Sequence, residues 1–140
     1  MTIRVLTVHQ PYAWAIMQPG GKNIENRSAA WKFRGALAIH AGLQWSPRGF
    51  VEISTILDYD LLLSGPASRR GAILGVVDLV DAHREQDGCC APWGLPDSVH
   101  LVLENPRPLP EPIPSRGQLG LWTPPGPALA ALQGFMGGAE

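Results

Sequence analysis

Charged residues and long apolar segments are scarce in this chain, and each shortage excludes a class of protein. Asp, Glu, Lys and Arg together make up 16% of the 140 residues, and the formal net charge is −1. A near-neutral chain is unsuited to coating DNA non-specifically, because neutralising many phosphates requires many cations. No apolar run approaches the roughly 20 residues of a membrane-spanning helix. We therefore predict no membrane partner.

Cysteine is equally scarce, since Cys89 and Cys90 are the only two and they are adjacent. They follow His83 and Glu85, which resembles a zinc-deaminase signature, and His100 could add a further ligand. That signature separates its cysteines by two residues, and we expect adjacent side chains to point apart. We therefore predict no metal site and no cofactor. An N-terminus typical of a strand, not of a signal peptide, together with unpaired cysteines predicts a reducing cytoplasm.

Glycine and proline are abundant, with 16 and 14 residues, and they divide the chain into short elements. Hydrophobic periodicity predicts strands at 3–8, 35–41, 71–80, 99–104 and 119–122, with extended chain at 22–27. It predicts helices at 12–18, 47–63 and 128–136, the second of them capped by Ser46 and the longest. We predict one α+β domain over 1–140, with a curled sheet of about five or six strands and two or three helices.

The charge is unevenly distributed along the chain. Residues 1–50 hold six basic groups and one acid, a balance of +5, whereas residues 51–105 hold three basic groups and nine acids, a balance of −6. A positive first third is compatible with a focused anion site.

Polar and aromatic side chains are concentrated in that positive third. Aromatic faces stack on nucleobases for roughly 1–3 kcal/mol per base, Arg and Lys bind phosphate, and Asn or Gln can read base edges. His40 lies on the face of its strand opposite the core face. There it could contact a ligand or only donate a hydrogen bond to the backbone. We predict an RNA- or nucleotide-binding cleft formed from Gln10, Tyr12, Trp14, Lys22, Glu25, Asn26, Arg27, Trp31 and His40.

Structural alternatives explain some of the same residues. Glu25 and Arg27 share a face of an extended segment and could simply pair, and Trp14 could be core. The chain would then be a protein-interaction domain. A Walker phosphate loop is excluded, because Ile16 and Asn23 stand where Gly and Ser or Thr are required.

Several motifs, in order, resemble the ASCH family, a branch of the PUA-like superfamily. They are LTVHQPYAWAIM at 6–17, GGKNIENR at 20–27, WKFRGALAIHA at 31–41, GAILGVVDLVD at 71–81, LVLENPRPLP at 101–110 and SRGQLGLW at 115–122. The resemblance implies a small PUA-like β-barrel and a cleft for RNA or nucleotides. It adds Arg116, from the closing motif, to the cleft.

The resemblance also implies two possible activities. Some relatives are amidohydrolases that deacylate a modified cytidine with a lysine, a threonine three residues later and a distant glutamate, and others are linked to cleavage of single-stranded RNA. Lys22 matches the lysine, but Glu25 stands where the threonine would be. A lysine can stabilise a developing oxyanion and a carboxylate can act as a general base. Lys22 and Glu25 are therefore the candidate catalytic pair, with a binding module as the leading hypothesis and a small hydrolase as the alternative.

Overall fold

A computed structural model describes residues 2–137, without the side chain of Tyr59. A 3₁₀ turn at Gly65–Ser68 precedes the fourth strand. In chain order the other elements are β1 (Arg4–Gln10), α1 (Tyr12–Ile16), β2 (Ile24–Arg27), β3 (Gly35–Trp45), α2 (Pro47–Ser54), α3 (Tyr59–Leu62), β4 (Ala72–Arg84), β5 (Val99–Pro114), β6 (Leu121–Trp122) and α4 (Gly126–Gly137).

The six strands form one mixed sheet in the order β2-β5-β4-β3-β1-β6, which confirms the predicted α+β class and strand number. β1 and β3 are parallel, and the other neighbours are antiparallel. A parallel pair requires a crossover connection, and residues 11–34, which contain α1 and β2, provide it. Within residues 2–137 the strands do not close into a barrel, because β2 and β6 remain edges.

Apolar side chains cover both faces of the central strands. Successive residues of a strand point to opposite faces, and in β3 Leu37 and Ile39 join one core cluster while Ala36 and Ala38 join another. The first cluster includes Ala13 and Ile16 of α1. The second is closed by α4, whose Ala128 and Leu132 pack with Ile3, Val5 and Trp122.

The predicted helix at 47–63 is wrong in its extent, because the chain forms two shorter helices there. Ser46 is the N-cap, as predicted, and its Oγ accepts a hydrogen bond from the Gly49 amide at 3.0 Å. After α2, Thr55 Oγ1 donates to the Glu52 carbonyl at 2.7 Å and Asp58 Oδ1 accepts from the Asp60 amide at 2.8 Å. Such local bonds compete with helix continuation. Residues 2–137 therefore contain four α-helices, not two or three.

The proline-rich stretch from Pro106 to Pro114 is part of β5, which extends beyond the strand predicted at 99–104. Every second residue in it is proline, and alternate residues of a strand direct their amides toward the same edge. β2 pairs with β5 only at Val99–Val102, so one edge of the proline stretch has no strand partner within the described residues. Proline lacks the amide donor and is tolerated at such an edge.

The prediction of one domain over 1–140 stays a prediction, and residues 1 and 138–140 lie outside the described part of the chain. Among the described helices, none combines the length and apolarity needed to cross a bilayer.

Candidate functional site

The turn after α1 places Lys22 at the start of the candidate site. The amide of Gly21 donates to the Gln18 carbonyl, and the amide of Lys22 donates to the Ala15 carbonyl, both at 2.9 Å. A Cβ on Gly21 would overlap the Ala15 carbonyl oxygen and lie 2.8 Å from that of Gln18. The turn therefore requires glycine at this position, because only glycine lets the backbone pack so closely.

Lys22, Glu25 and Arg27 form a connected ionic cluster on β2 and the segment before it. Lys22 Nζ lies 3.0 Å from Glu25 Oε1, and Arg27 Nε lies 2.9 Å from Glu25 Oε2. Lys22 Nζ also donates to the Ile24 carbonyl. The side chains of Lys22 and Glu25 are only 3% and 10% exposed, whereas that of Arg27 is 27% exposed. The pairing of Glu25 with Arg27, weighed above as a structural alternative, is therefore present.

Arg27 also connects two strands that are not neighbours in the sheet. Its Nη2 donates to the Thr7 carbonyl of β1 at 2.7 Å, although β2 lies at the edge of the sheet beyond β5. The curled sheet thus brings its β1 and β2 regions together around the ionic cluster.

The cluster carries one net positive charge, because the two cations Lys22 and Arg27 share one ionised carboxylate, Glu25. Burial raises the pKa of this carboxyl, but the charges and hydrogen bonds of Lys22 and Arg27 outweigh that effect and hold the pKa below its usual value. The Lys22 ammonium also lies 5.2 Å from the centre of the Tyr12 ring, within range of a cation–π interaction. One carboxylate between two cations leaves one positive charge without a carboxylate partner in the cluster.

A cleft of about 370 Å³ opens beside the cluster. Its walls come from the end of β1, from α1 and β2, from the loop before β5, and from the segment before β6. The side chain of Leu119 at the cleft is 99% exposed. The lining residues are Thr7, Val8, His9, Tyr12, Lys22, Glu25, Asn26, Arg27, Leu95, Gln118, Leu119 and Gly120.

Five of the predicted site residues line this cleft, and five do not. Those that line it are Tyr12, Lys22, Glu25, Asn26 and Arg27. Those placed elsewhere are Gln10, Trp14, Trp31, His40 and Arg116.

Gln10 and Trp14 lie outside the cleft and make structural contacts, so the structure does not bring them to the predicted site. Gln10 is fully buried, and its Nε2 donates to the Arg69 carbonyl at 2.7 Å while its Oε1 accepts from the Trp14 amide at 2.8 Å. The Trp14 side chain packs in a cluster with Ile53 and Leu62. Both residues hold α1 against the rest of the fold; Gln10 has no exposed surface, and Trp14 borders a separate cavity beside Pro66 and Leu109.

The other three residues outside the cleft have separate positions. Trp31 is half-buried against the core. His40 is buried, its Nε2 bonds to the Ser115 carbonyl at 2.7 Å, and burial lowers its pKa, so the ring is neutral at pH 7. It borders a neighbouring depression, not the cleft. Arg116 is exposed on the segment that supplies Gln118 and Leu119 to the cleft, but it does not line the cleft itself.

Asn26 lines the cleft, but its amide is already bonded. Its Nδ2 donates to the Trp93 carbonyl at 3.0 Å, and its Oδ1 accepts from the Leu95 amide at 2.8 Å and the Ser98 hydroxyl at 3.1 Å. Asn26 therefore fixes the loop that carries Leu95 and is not placed to read a base edge.

Tyr12 is anchored in a similar way. Its hydroxyl donates to Glu52 Oε2 at 2.8 Å, and burial together with Glu52 raises its pKa well above the usual range. Glu52 in turn pairs with Arg48 at 2.7 Å. The ring is therefore neutral and held in place beside the cleft.

The sequence did not identify the lining residues contributed by loops and backbone. His9 could have been found, because it is a polar residue between the buried positions Val8 and Gln10 on β1. Leu95 and Leu119 carry no comparable local signal, because only the folded chain brings their loops to β2.

A search of protein-family models finds no match to the chain, and a search of curated proteins finds no significant match. The case for a function therefore depends on the cleft and on the order of the sequence motifs.

We expect Glu25→Gln to flatten the acid dependence of stability. The pKa of Glu25 in the folded chain lies below its ordinary 4.5. Its stabilisation is thus complete above the ordinary value and is lost as the pH falls through the folded pKa. Urea titrations between about pH 7 and about pH 3 should show the gap between wild type and variant narrowing with acid. Glu111→Gln, at an exposed glutamate, is the control. A gap that stays constant with pH would contradict the assignment.

Proposed function

We propose that this chain is an RNA- or nucleotide-binding module of the ASCH type, with a PUA-like architecture, whose cleft holds one nucleotide beside Lys22 and Arg27. The observation that carries the proposal is the net positive ionic cluster in the wall of the 370 Å³ cleft. Small-molecule sites span roughly 300–1,000 Å³, so this volume suits one nucleotide unit. The ordered motifs between residues 6 and 122 support the same reading.

Both cations retain donors for an anionic ligand. Arginine carries five N–H donors and lysine three. Arg27 uses one of its donors on Glu25 and another on Thr7, and Lys22 uses two on Ile24 and Glu25. A phosphate near Arg27, the most exposed member of the cluster, would also balance the unpaired positive charge.

The apolar surface for a base is more aliphatic than the sequence predicted. Trp14 and Trp31 do not line the cleft, and in the part of the chain that the structure describes the rings that line it are the Tyr12 phenol and the smaller His9 imidazole. Leu95 and Leu119 supply the remaining large apolar side chains. We therefore expect van der Waals contact with leucine side chains to replace much of the indole stacking.

Binding is better supported than hydrolysis by Lys22 and Glu25. A general base needs an oxygen within reach of the proton that it abstracts and a pKa near the working pH. Both oxygens of Glu25 accept bonds from cations, and its pKa is lowered. Hydrolysis by Lys22 and Glu25 is therefore an alternative that a search for reaction products would reveal.

Leu119→Asp should weaken the binding of a short fluorescent single-stranded RNA by about tenfold, or about 1.4 kcal/mol. The substitution places a negative charge at the cleft without disturbing packing, because Leu119 is almost fully exposed. Leu63→Asp is the matched control, since Leu63 is 59% exposed and does not line the cleft. Equal affinities for the two variants in anisotropy titrations would rule out binding at this cleft.

Two further measurements distinguish a binding module from a protein-interaction domain and from a hydrolase. They are the salt dependence of RNA affinity and a search for reaction products. On single-stranded RNA, a site with one or two phosphate contacts predicts a log–log salt slope of magnitude about 0.7–1.4. No measurable affinity for RNA or mononucleotides would favour the protein-interaction reading. Chromatography after incubation with acylated nucleosides and with RNA would reveal a hydrolase by its product.

A further inference from the structure

Four potential metal ligands converge where β4 ends and β5 begins. His83 and His100 face each other across the two strands, and Cys89 and Cys90 lie in the loop between them. One ligand atom from each of the four residues lies within 4.8 Å of all the others. This cluster is separate from the cleft lining described above.

The expectation that adjacent cysteine side chains point apart is wrong for this loop. Cys90 has a φ of 67°, in the left-handed region, and the two Sγ atoms lie 3.3 Å apart. The bend is supported by a hydrogen bond from the Gly94 amide to the Cys90 carbonyl at 2.8 Å. A Cβ at Gly94 would lie 2.7 Å from the His100 ring and 2.9 Å from Cys90 Cβ, so the loop packs tightly around the cluster.

Three nitrogen–sulfur separations in the cluster match a tetrahedral zinc site, whereas the Sγ–Sγ distance of 3.3 Å would have to lengthen to roughly 3.8 Å on binding. Zinc bonds of about 2.3 Å to sulfur and 2.0–2.1 Å to nitrogen place tetrahedral ligand atoms roughly 3.3–3.8 Å apart. His83 Nε2 lies 3.6 Å from Cys89 Sγ and 3.4 Å from Cys90 Sγ. Cys89 Sγ lies 3.5 Å from His100 Nδ1.

Hydrogen bonds orient both imidazole rings as metal ligands require. His83 Nδ1 lies 2.8 Å from Asp81 Oδ2, and His100 Nε2 lies 2.8 Å from the Leu95 carbonyl. Both partners are acceptors, so these nitrogens carry the protons and the opposite nitrogens present lone pairs to the sulfurs. Histidine ligands in metalloproteins are commonly held by such carboxylate or carbonyl partners.

We propose that His83, Cys89, Cys90 and His100 bind one Zn²⁺ ion as a structural site. Two sulfur and two nitrogen ligands complete a tetrahedron and leave no position for a substrate or water, which distinguishes it from a catalytic centre. On binding, the two thiols release their protons to solvent and form two Zn–S bonds, so the site is neutral overall.

The metal would fix one wall of the cleft. The loop at 85–98 carries Leu95, and it is attached to β2 through the three hydrogen bonds of Asn26. The bonds of Asn26, the bond between His100 Nε2 and the Leu95 carbonyl and the packing of the buried Trp93 hold this loop without the ion, and the metal would add bonds to both cysteines. Amide hydrogen exchange should therefore rise in residues 86–98 on chelation and stay unchanged in the central strands.

The direct test is metal content. The reduced chain, dialysed with zinc and then freed of excess, should hold one Zn²⁺ per chain by elemental analysis and native mass spectrometry. The double variant Cys89→Ser, Cys90→Ser should hold none, and His9→Gln, an exposed histidine outside the cluster, should hold one. With Co²⁺ instead, wild type should show the intense absorption of a tetrahedral thiolate site.

The Asp81→Asn variant tests the zinc site even if the cysteine variants do not fold. The Asp81 side chain is 55% exposed, so the substitution is compatible with folding. Loss of a carboxylate behind a histidine ligand typically weakens metal binding by about 10–100-fold, measurable by competition with a chromophoric chelator. A wild-type chain that takes up no zinc, or one that forms a Cys89–Cys90 disulfide in the presence of zinc and a thiol reductant, would overturn the proposal.

Discussion

Lys22→Met should lower the free energy of unfolding by about 3 kcal/mol at pH 7, at the lower end of the range for a broken buried ion pair. The substitution keeps the length and apolar stem of the side chain but removes the ammonium that contacts Glu25 at 3.0 Å. Glu25 would remain buried as an anion with Arg27 as its one cationic partner in the cluster. Urea denaturation of wild type and variant measures the difference.

The double variant Lys22→Met, Glu25→Leu should recover most of that loss. Removing both buried charges leaves no uncompensated ion in the interior, and Arg27 is exposed enough to be solvated. Glu25→Leu alone completes a double-mutant cycle, in which the coupling energy should exceed about 1 kcal/mol. A Lys22→Met variant within about 0.5 kcal/mol of wild type would show that the pair contributes little to stability.

The same double variant separates stability from binding. It leaves the net charge of the cluster at +1 but removes the Lys22 donor beside which the nucleotide is proposed to bind, so its affinity for single-stranded RNA should fall even where its stability is restored. A folded double variant that binds RNA as tightly as wild type would place the binding site elsewhere, while the stability argument would stand.

Local patterns predicted most of the strands because their signals are local. Leu37 and Ile39 alternate with Ala36 and Ala38, and that alternation predicts the strand at 35–41, although β3 continues to Trp45. The sequence did not predict the break in the helix at 47–63, because the apolar period continues past Thr55 while side-chain bonds end the helix. Whether the sheet closes into a barrel depends on pairing between strands that are far apart in the sequence, and no local pattern encodes that pairing.

The sequence predicted only the part of the candidate site whose residues lie close together in the chain. Lys22, Glu25 and Arg27 are close in sequence, so their cluster follows from one short segment. Gln10 has the same polar chemistry, yet it is buried by contacts with Arg69, which is far away in the sequence. The cysteine pair was misread because the sign of one φ angle, at Cys90, decides where two side chains point.

Gly21→Ala should destabilise the fold by about 3 kcal/mol, at the upper end of typical overpacking costs. The new methyl group would meet the carbonyl oxygens of Ala15 and Gln18, both part of the backbone, so no side-chain rotation can relieve the clash. The turn must open, and the bond from the Lys22 amide to the Ala15 carbonyl must lengthen with it. Urea titration of the purified variant gives the loss directly.

Gly20→Ala is the matched control for that prediction. Gly20 has a φ of 64°, which costs a non-glycine residue about 1–2 kcal/mol, but a Cβ there would have no atom within 4 Å. The Gly21 variant should therefore be the less stable of the two and should bind RNA more weakly, because its turn carries Lys22. If the two alanine variants are equally stable, backbone conformation and not close packing explains the glycine pair. The position of Lys22 would then not depend on Gly21.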